Sequence, residues 1–272
     1  MNYCKSQLTE KFFPIKDDYL TSVKDNWFSK EQKEVSKNDF LNTSVEWFKS
    51  TKNNNLLGWD QFDFVDLTTG NTNYIESFYI RYGIDGFQIL YPYEYAYYSL
   101  LGHQGVTVDN LDENKPLIIS LPNWQYGGLR PEWESILKVC EQKNIDIHID
   151  MAWITMSKGI EIDFSHPCIK SFAMGISKFT QSWARAGIRF TKQRTVDSIT
   201  ILNHYYSNNN SALFSAGVYA MENIPRDYAW DTYGNKYNYI CTELDLLPTN
   251  LINVVYDPEI NQPRGIGEML PS

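Results

Sequence analysis

The 272-residue chain holds four cysteines, Cys4, Cys140, Cys168 and Cys241, and no two of them form a C-x-x-C pair. A zinc ribbon or other metal centre is therefore not expected. No stretch of 18 apolar residues occurs, so no membrane-spanning helix and no membrane partner are expected. Basic charge is also scarce. Against 33 Asp and Glu there are 24 Lys and Arg, giving a formal net charge of −9. No Lys/Arg run builds the basic footprint that phosphate backbones require, which argues against a nucleic-acid partner. The opening Met-Asn-Tyr-Cys-Lys lacks the apolar core of a secretory leader, so the expected setting is reducing and cytoplasmic. Internal repeats are absent.

What the chain does have is apolar and aromatic mass. Hydrophobic residues make up 43%, with 19 Tyr, 14 Phe and 8 Trp, enough for a large core. Residues 1–55 are polar and Lys-rich, with amphipathic pieces at Tyr19–Phe28 and Asn38–Phe48, and read as an N-terminal helical arm. Residues 56–215 read as an α/β core domain, and 216–272 as a short C-terminal segment, irregular from Tyr237 apart from one helix or arm. Within the core, Phe62–Leu67, Phe87–Tyr91, Gly105–Val108, Leu117–Leu121, Ile145–Asp150, Ser171–Gly175 and Ile188–Thr191 are strand-like. Tyr74–Tyr82 and Pro131–Asn144 fit helices, the latter with Cys140 on its apolar side as a small buried hydrophobe. Apolar runs without alternation suit strands buried on both faces, and their interleaving with helices predicts a mostly parallel sheet.

In open α/β sheets ligands bind beyond the carboxyl ends of the strands. The polar residues placed there are Thr68 to Thr72, Tyr93 or Tyr95, Asn123, Asp150 and Ser177-Lys178. Thr68-Thr69-Gly70-Asn71-Thr72, between a strand and a helix, is a natural anion cup, since the free N–H groups of a helix start face the anion. An ordinary N-cap would read the same way. The turn lacks G-x-G-x-x-G or G-K-[ST] spacing, which counts against an unrelated nucleotide-binding α/β protein. Asp150 ends an apolar strand, where a carboxylate needs a facing cation or donor. Lys178 follows another apolar strand, and a lysine in a partly apolar cleft becomes an amine nucleophile. Arg189 suits a phosphate or a structural ion pair.

Taken in order, these pieces resemble the large domain of the aspartate-aminotransferase-like, fold-type I family of pyridoxal 5'-phosphate (PLP) enzymes. Thr68 to Thr72 resembles its phosphate cup, with Thr69, Gly70 and Asn71 at the phosphate. Pro92-Tyr93-Glu94-Tyr95 resembles the P-x-Y segment whose ring stacks on the cofactor, Tyr93 being the first choice and Tyr95 the second. Leu121 to Gly128 resembles the N-P-x-G segment, placing Asn123 at the phenolic oxygen. Asp150-Met151-Ala152-Trp153 resembles D-x-A-Y, with Trp153 in place of Tyr, and Ser177-Lys178 with Gly187-Ile188-Arg189 resembles S-K…G-x-R. The resemblance implies a three-layer α/β/α sandwich with PLP as a Schiff base on Lys178, Asp150 at the pyridine nitrogen, and Arg189 or its rival Arg185 at the phosphate. It implies an aminotransferase-like enzyme acting on a small amine or amino acid, working as a homodimer. The alternative is a non-catalytic relative serving as a binding module. The family's C-terminal small domain is longer and supplies an Arg to the substrate. Here only Arg226 and Arg264 follow Arg194, so that domain is expected to be reduced or absent.

Overall fold

The computed structural model of the chain describes residues 3–12, 14–31, 33–91, 95–206 and 210–271. Two helices come first, α1 (Asp18–Ser29) and α2 (Lys37–Lys49). Each starts where the sequence supplies an oxygen cap: Asp17 accepts from Leu20 N–H, and Ser36 accepts from Asp39 N–H. Then follow β1 (Asn55–Leu57), β2 (Phe64–Thr68), α3 (Asn71–Tyr82), β3 (Gln88–Ile89), α4 (Ala96–Leu100), β4 (Leu117–Ser120) and α5 (Trp133–Gln142). The middle continues with β5 (Ile147–Met151), β6 (Glu161–Asp163), β7 (Ile169–Gly175) and β8 (Gly187–Thr191). The last elements are α6 (Ser198–His204), α7 (Ser211–Asn223), α8 (Tyr228–Glu243), β9 (Leu247–Pro248), β10 (Val254–Asp257) and β11 (Gln262–Gly265).

Six strands form the central sheet in the order β2-β8-β7-β5-β4-β3. Strands β3, β4, β5 and β7 pair in parallel, while β8 runs antiparallel to both β7 and β2. The sheet is thus mostly parallel with one reversed strand. Every residue of β4 and β8 is buried, as expected of strands covered on both faces. The two faces own separate cores. Ile118 and Ala173 join Tyr74, Ile75, Phe78 and Ile199 beneath α3 and α6. Their neighbours Ile119 and Phe172 join the larger opposite cluster with Phe40, Trp133 and Ile136 from α2 and α5. The two-residue alternation along each strand produces this split, and the result is a three-layer α/β/α sandwich.

Two expectations change. Gly105–Val108 is not a full strand: Val106 alone bridges to Leu90, and a 3-10 turn begins at Val108. The neighbouring β3 is only two residues long, so it offers little edge to extend. The tail is more ordered than its Pro and Gly content suggests. After α8, β9, β10 and β11 form a three-stranded antiparallel sheet, and Thr9 bridges to Gly265 at its edge. Among the described residues no helix is long and apolar enough to cross a membrane.

Candidate active site

The parallel strands end on a common edge, and the reversed β8 begins there. Gly187 pairs with Thr68 on one side and Gly175 on the other. A cavity of about 120 Å³ opens at this edge. One wall is the turn into α3, where Thr69, Gly70, Asn71 and Thr72 line it. Gly70 holds φ +92°, a conformation open to glycine and strained for other residues. No side chain caps α3 and its first turn carries no acid, while Asn73 N–H bonds the Gly70 carbonyl and Thr69 N–H bonds Asn73 Oδ1. Arg185 lines the cavity from the loop before β8.

Asp150, 4% exposed at the C-terminal part of β5, also lines the cavity. One of its oxygens accepts from Asn71 Nδ2 at 2.5 Å and from Ala152 N–H at 3.0 Å. Asn71 also donates to the Ala173 carbonyl at 2.9 Å, which ties the first turn of α3 to β7. Gly175 makes that approach possible, because a Cβ there would stand 2.5 Å from Asn71 Oδ1. Burial pushes the Asp150 carboxyl above its ordinary value. The Asn71 and Ala152 hydrogen bonds, the Lys178 charge and Ser120 work against that rise.

Lys178 lines the same cavity from the turn after β7. Its Nζ is 4.1 Å from the centroid of the Trp153 ring. Burial lowers its pKa from the usual lysine value; Asp150 opposes this and Arg185 adds to it. A lysine so placed releases its proton more readily than a surface lysine and becomes a better nucleophile.

The geometry sorts the candidates named from the sequence. Thr69, Gly70, Asn71, Asp150, Trp153, Ser177 and Lys178 share the one cavity, as does Tyr95. Tyr93, with Pro92 and Glu94, lies outside the described residues. Asn123 is not among the residues lining the cavity, although its neighbour Trp124 is; it is fully buried, its Oδ1 accepting from Gln125 N–H while Nδ2 has no protein partner. Arg189 is the correction. It sits two residues inside β8, opposite Asp66 of β2, and pairs with Asp66 at 2.6 Å and Asp197 at 2.5 Å. Because β8 is reversed, each step past Gly187 leads away from the ligand edge. Arg185, not Arg189, reaches the cavity. Ser120, Trp124 and Ser182 also line it and were not singled out. Ser120 had a legible signal, a polar residue ending the apolar run Leu117–Ile119 and facing Asp150 in register.

These residues fit PLP. An uncapped helix start with Arg185 suits a phosphate, a buried carboxylate suits a protonated pyridine nitrogen, and the unpartnered Asn123 Nδ2 is a donor awaiting an acceptor. The fold is that of the fold-type I PLP-dependent transferases. Among solved structures, the chain superposes on alanine aminotransferase of Pyrococcus furiosus with a TM-score of 0.60 and 16% identity, over 90% of this chain and 75% of that one. Histidinol-phosphate aminotransferase of Clostridium acetobutylicum gives 0.55 and 18%, over 91% and 80%. The PLP-bound C-S lyase of Staphylococcus hominis with L-cycloserine gives 0.62 and 11%, over 99% and 87%. No protein-family model and no curated protein matches the sequence.

Proposed function

We propose that this chain is a PLP-dependent, aminotransferase-like enzyme acting on a small amine or amino acid, with Lys178 as its amine nucleophile. The observation that carries this reading is the meeting of Lys178, Asp150, Arg185 and the α3 start around one cavity. When bound, PLP supplies an electron sink for the carbanion formed next to the substrate nitrogen. The residues of this chain supply the rest. The N–H groups at the start of α3, the hydroxyl of Thr69 and the guanidinium of Arg185 would hold its phosphate. Asp150, fixed by Asn71, would present a carboxylate to a protonated ring nitrogen. The unpartnered Asn123 Nδ2 would be a donor for its phenolic oxygen. Lys178 Nζ gives up a proton, because burial destabilises its ammonium form, and can then move protons to and from substrate as general base and acid. Trp153 and Trp124 wall the cavity against water.

A homodimer is part of the proposal. Tyr95 lines the cavity, and Tyr91, Leu100 and Leu101 near it in sequence are exposed apolar residues that a second copy would cover. Light scattering tests this, and a monomer at micromolar concentration contradicts it. The functional reading itself is tested by absorbance of the purified chain with and without PLP, and with candidate amines. A new visible absorbance band that a small amine or amino acid depletes supports it. No saturable change on adding PLP overturns it.

A further inference from the structure

We propose that Trp153 is a positioning residue for Lys178: its indole face carries the lysine ammonium whenever the amine is free, and so fixes where Nζ waits. The role in catalysis rests on the PLP reading, whereas the contact itself does not.

Lys178 Nζ stands 4.1 Å from the ring centroid, well inside the reach of a cation–π contact. Asp150 acts on that ammonium through its charge alone, without a direct hydrogen bond. The indole is therefore the contact that sets the amine's position. Its platform is held firmly. Trp153 precedes the 3-10 turn Ile154–Met156, to which Arg226 donates at the Ile154 carbonyl (2.6 Å) and Trp230 at the Met156 carbonyl (2.9 Å). Ile252 N–H also donates to the Met156 carbonyl, at 3.0 Å. The lysine's own turn is equally fixed, by Thr180 donating to the Ile176 carbonyl and Ser182 N–H donating to the Ser177 carbonyl. Two rigid turns thus present a cation to the face of the aromatic ring best suited to it.

The groups around the amine pull in both directions. Burial and Arg185 disfavour the ammonium, and Asp150 favours it. Tyr95 shares the main cavity, while Arg226, Tyr228 and Tyr233 line a small adjoining one on the other side of Lys178. In this setting the Trp153 face supports the protonated form and offsets part of the burial. The resembling enzymes carry a tyrosine after the D-x-A segment. Here Trp153 stands in that place, and its ring face meets the amine.

The two possible roles of Trp153 predict opposite signs. If the indole only fills space, removing it admits water, relieves burial and raises the Lys178 pKa. If it carries the ammonium, removing it lowers the pKa. The test uses the full chain without PLP. The pH dependence of acetic-anhydride labelling is followed on the Lys178 peptide by mass spectrometry, for wild type, Trp153→Leu and Trp153→Phe. The expected result is a fall of about one pH unit in Trp153→Leu and a smaller fall in Trp153→Phe, which keeps a weaker ring. An unchanged or raised pKa overturns the proposal. If Trp153→Leu does not fold, Trp153→Phe decides alone by the same criterion. Because no PLP is present, failure here is separate from failure of PLP binding, which absorbance reports.

Discussion

The two ends of the central sheet are built from the same strands and carry similar residues, yet only one end carries the residues of the proposed site. At the C-terminal edge β5 supplies Asp150, and the connection between β7 and β8 supplies Lys178 and Arg185. Toward the other edge the same strands supply His148, Ser171 and Arg189, which with Tyr74 line a second, larger cavity of about 330 Å³. There most of the polar groups meet one another, although Arg189 Nε has no partner. Arg189 is held between Asp66 and Asp197 and takes a further bond to Thr200 at 3.0 Å. Tyr74 and His148 both meet Ser171, at 2.6 and 2.7 Å. Around Lys178, by contrast, the amine rests on a ring face, the helix start has no cap and Asn123 Nδ2 has no partner. Volume and polarity do not distinguish the two ends; what differs is which groups stay unpaired, an amine and a helix start at one, a single guanidinium nitrogen at the other.

The largest effect separating the two ends concerns the arginines. Arg189→Met leaves Asp66 and Asp197 buried without their cation, and is expected to cost about 3–5 kcal/mol of stability. Denaturant unfolding measures it, and the fraction still folded should bind PLP as wild type does. A loss below 1 kcal/mol would mean that the network is not closed as described. Arg185→Ala should do the reverse. PLP affinity should fall about 10- to 100-fold, with the unfolding midpoint nearly unchanged. Equilibrium titration checks this, and equal affinities would remove Arg185 from the phosphate site.

A smaller effect comes from pH. Burial, reinforced by Arg81, Arg189 and Lys170, drives the His148 pKa down to about 3. In the unfolded chain the imidazole takes up its proton below about pH 6.5. Between these values the unfolded state binds the extra proton, so stability drains away as pH falls from about 6.5 toward 3. His148→Gln should reduce proton uptake on unfolding at pH 5 by about one. Unfolding curves across this range give the number, and an unchanged slope contradicts the neutral His148.

Much of the frame was legible in the sequence. The apolar runs at Leu117–Leu121 and Ser171–Gly175 marked buried strands, because strands covered on both faces cannot alternate. The caps at Asp17 and Ser36 began the helices that the amphipathic pieces at Tyr19–Phe28 and Asn38–Phe48 suggested. Strand direction was not legible. Nothing local to Gly187–Thr191 says that it runs backwards, since its pairing with Phe64–Thr68 lies more than a hundred residues away. That missing fact is what separates Arg185 from Arg189. The triad of Asp66, Arg189 and Asp197 was overlooked for the same reason, although a charged Asp66 within Phe62–Leu67 was itself a signal that a buried cation had to face it. Trp153 against Lys178 depended on two turns whose proximity only the folded chain reveals.

The central claim is that Lys178, alone among the lysines, meets the aldehyde of PLP. The direct measurement is borohydride reduction of the chain incubated with PLP, followed by peptide mass mapping. One stoichiometric reduced adduct is expected, on the peptide containing Lys178, and none at that peptide in Lys178→Ala. Label spread over surface lysines such as Lys158 or Lys236, or an unlabelled Lys178 at saturating PLP, would contradict it.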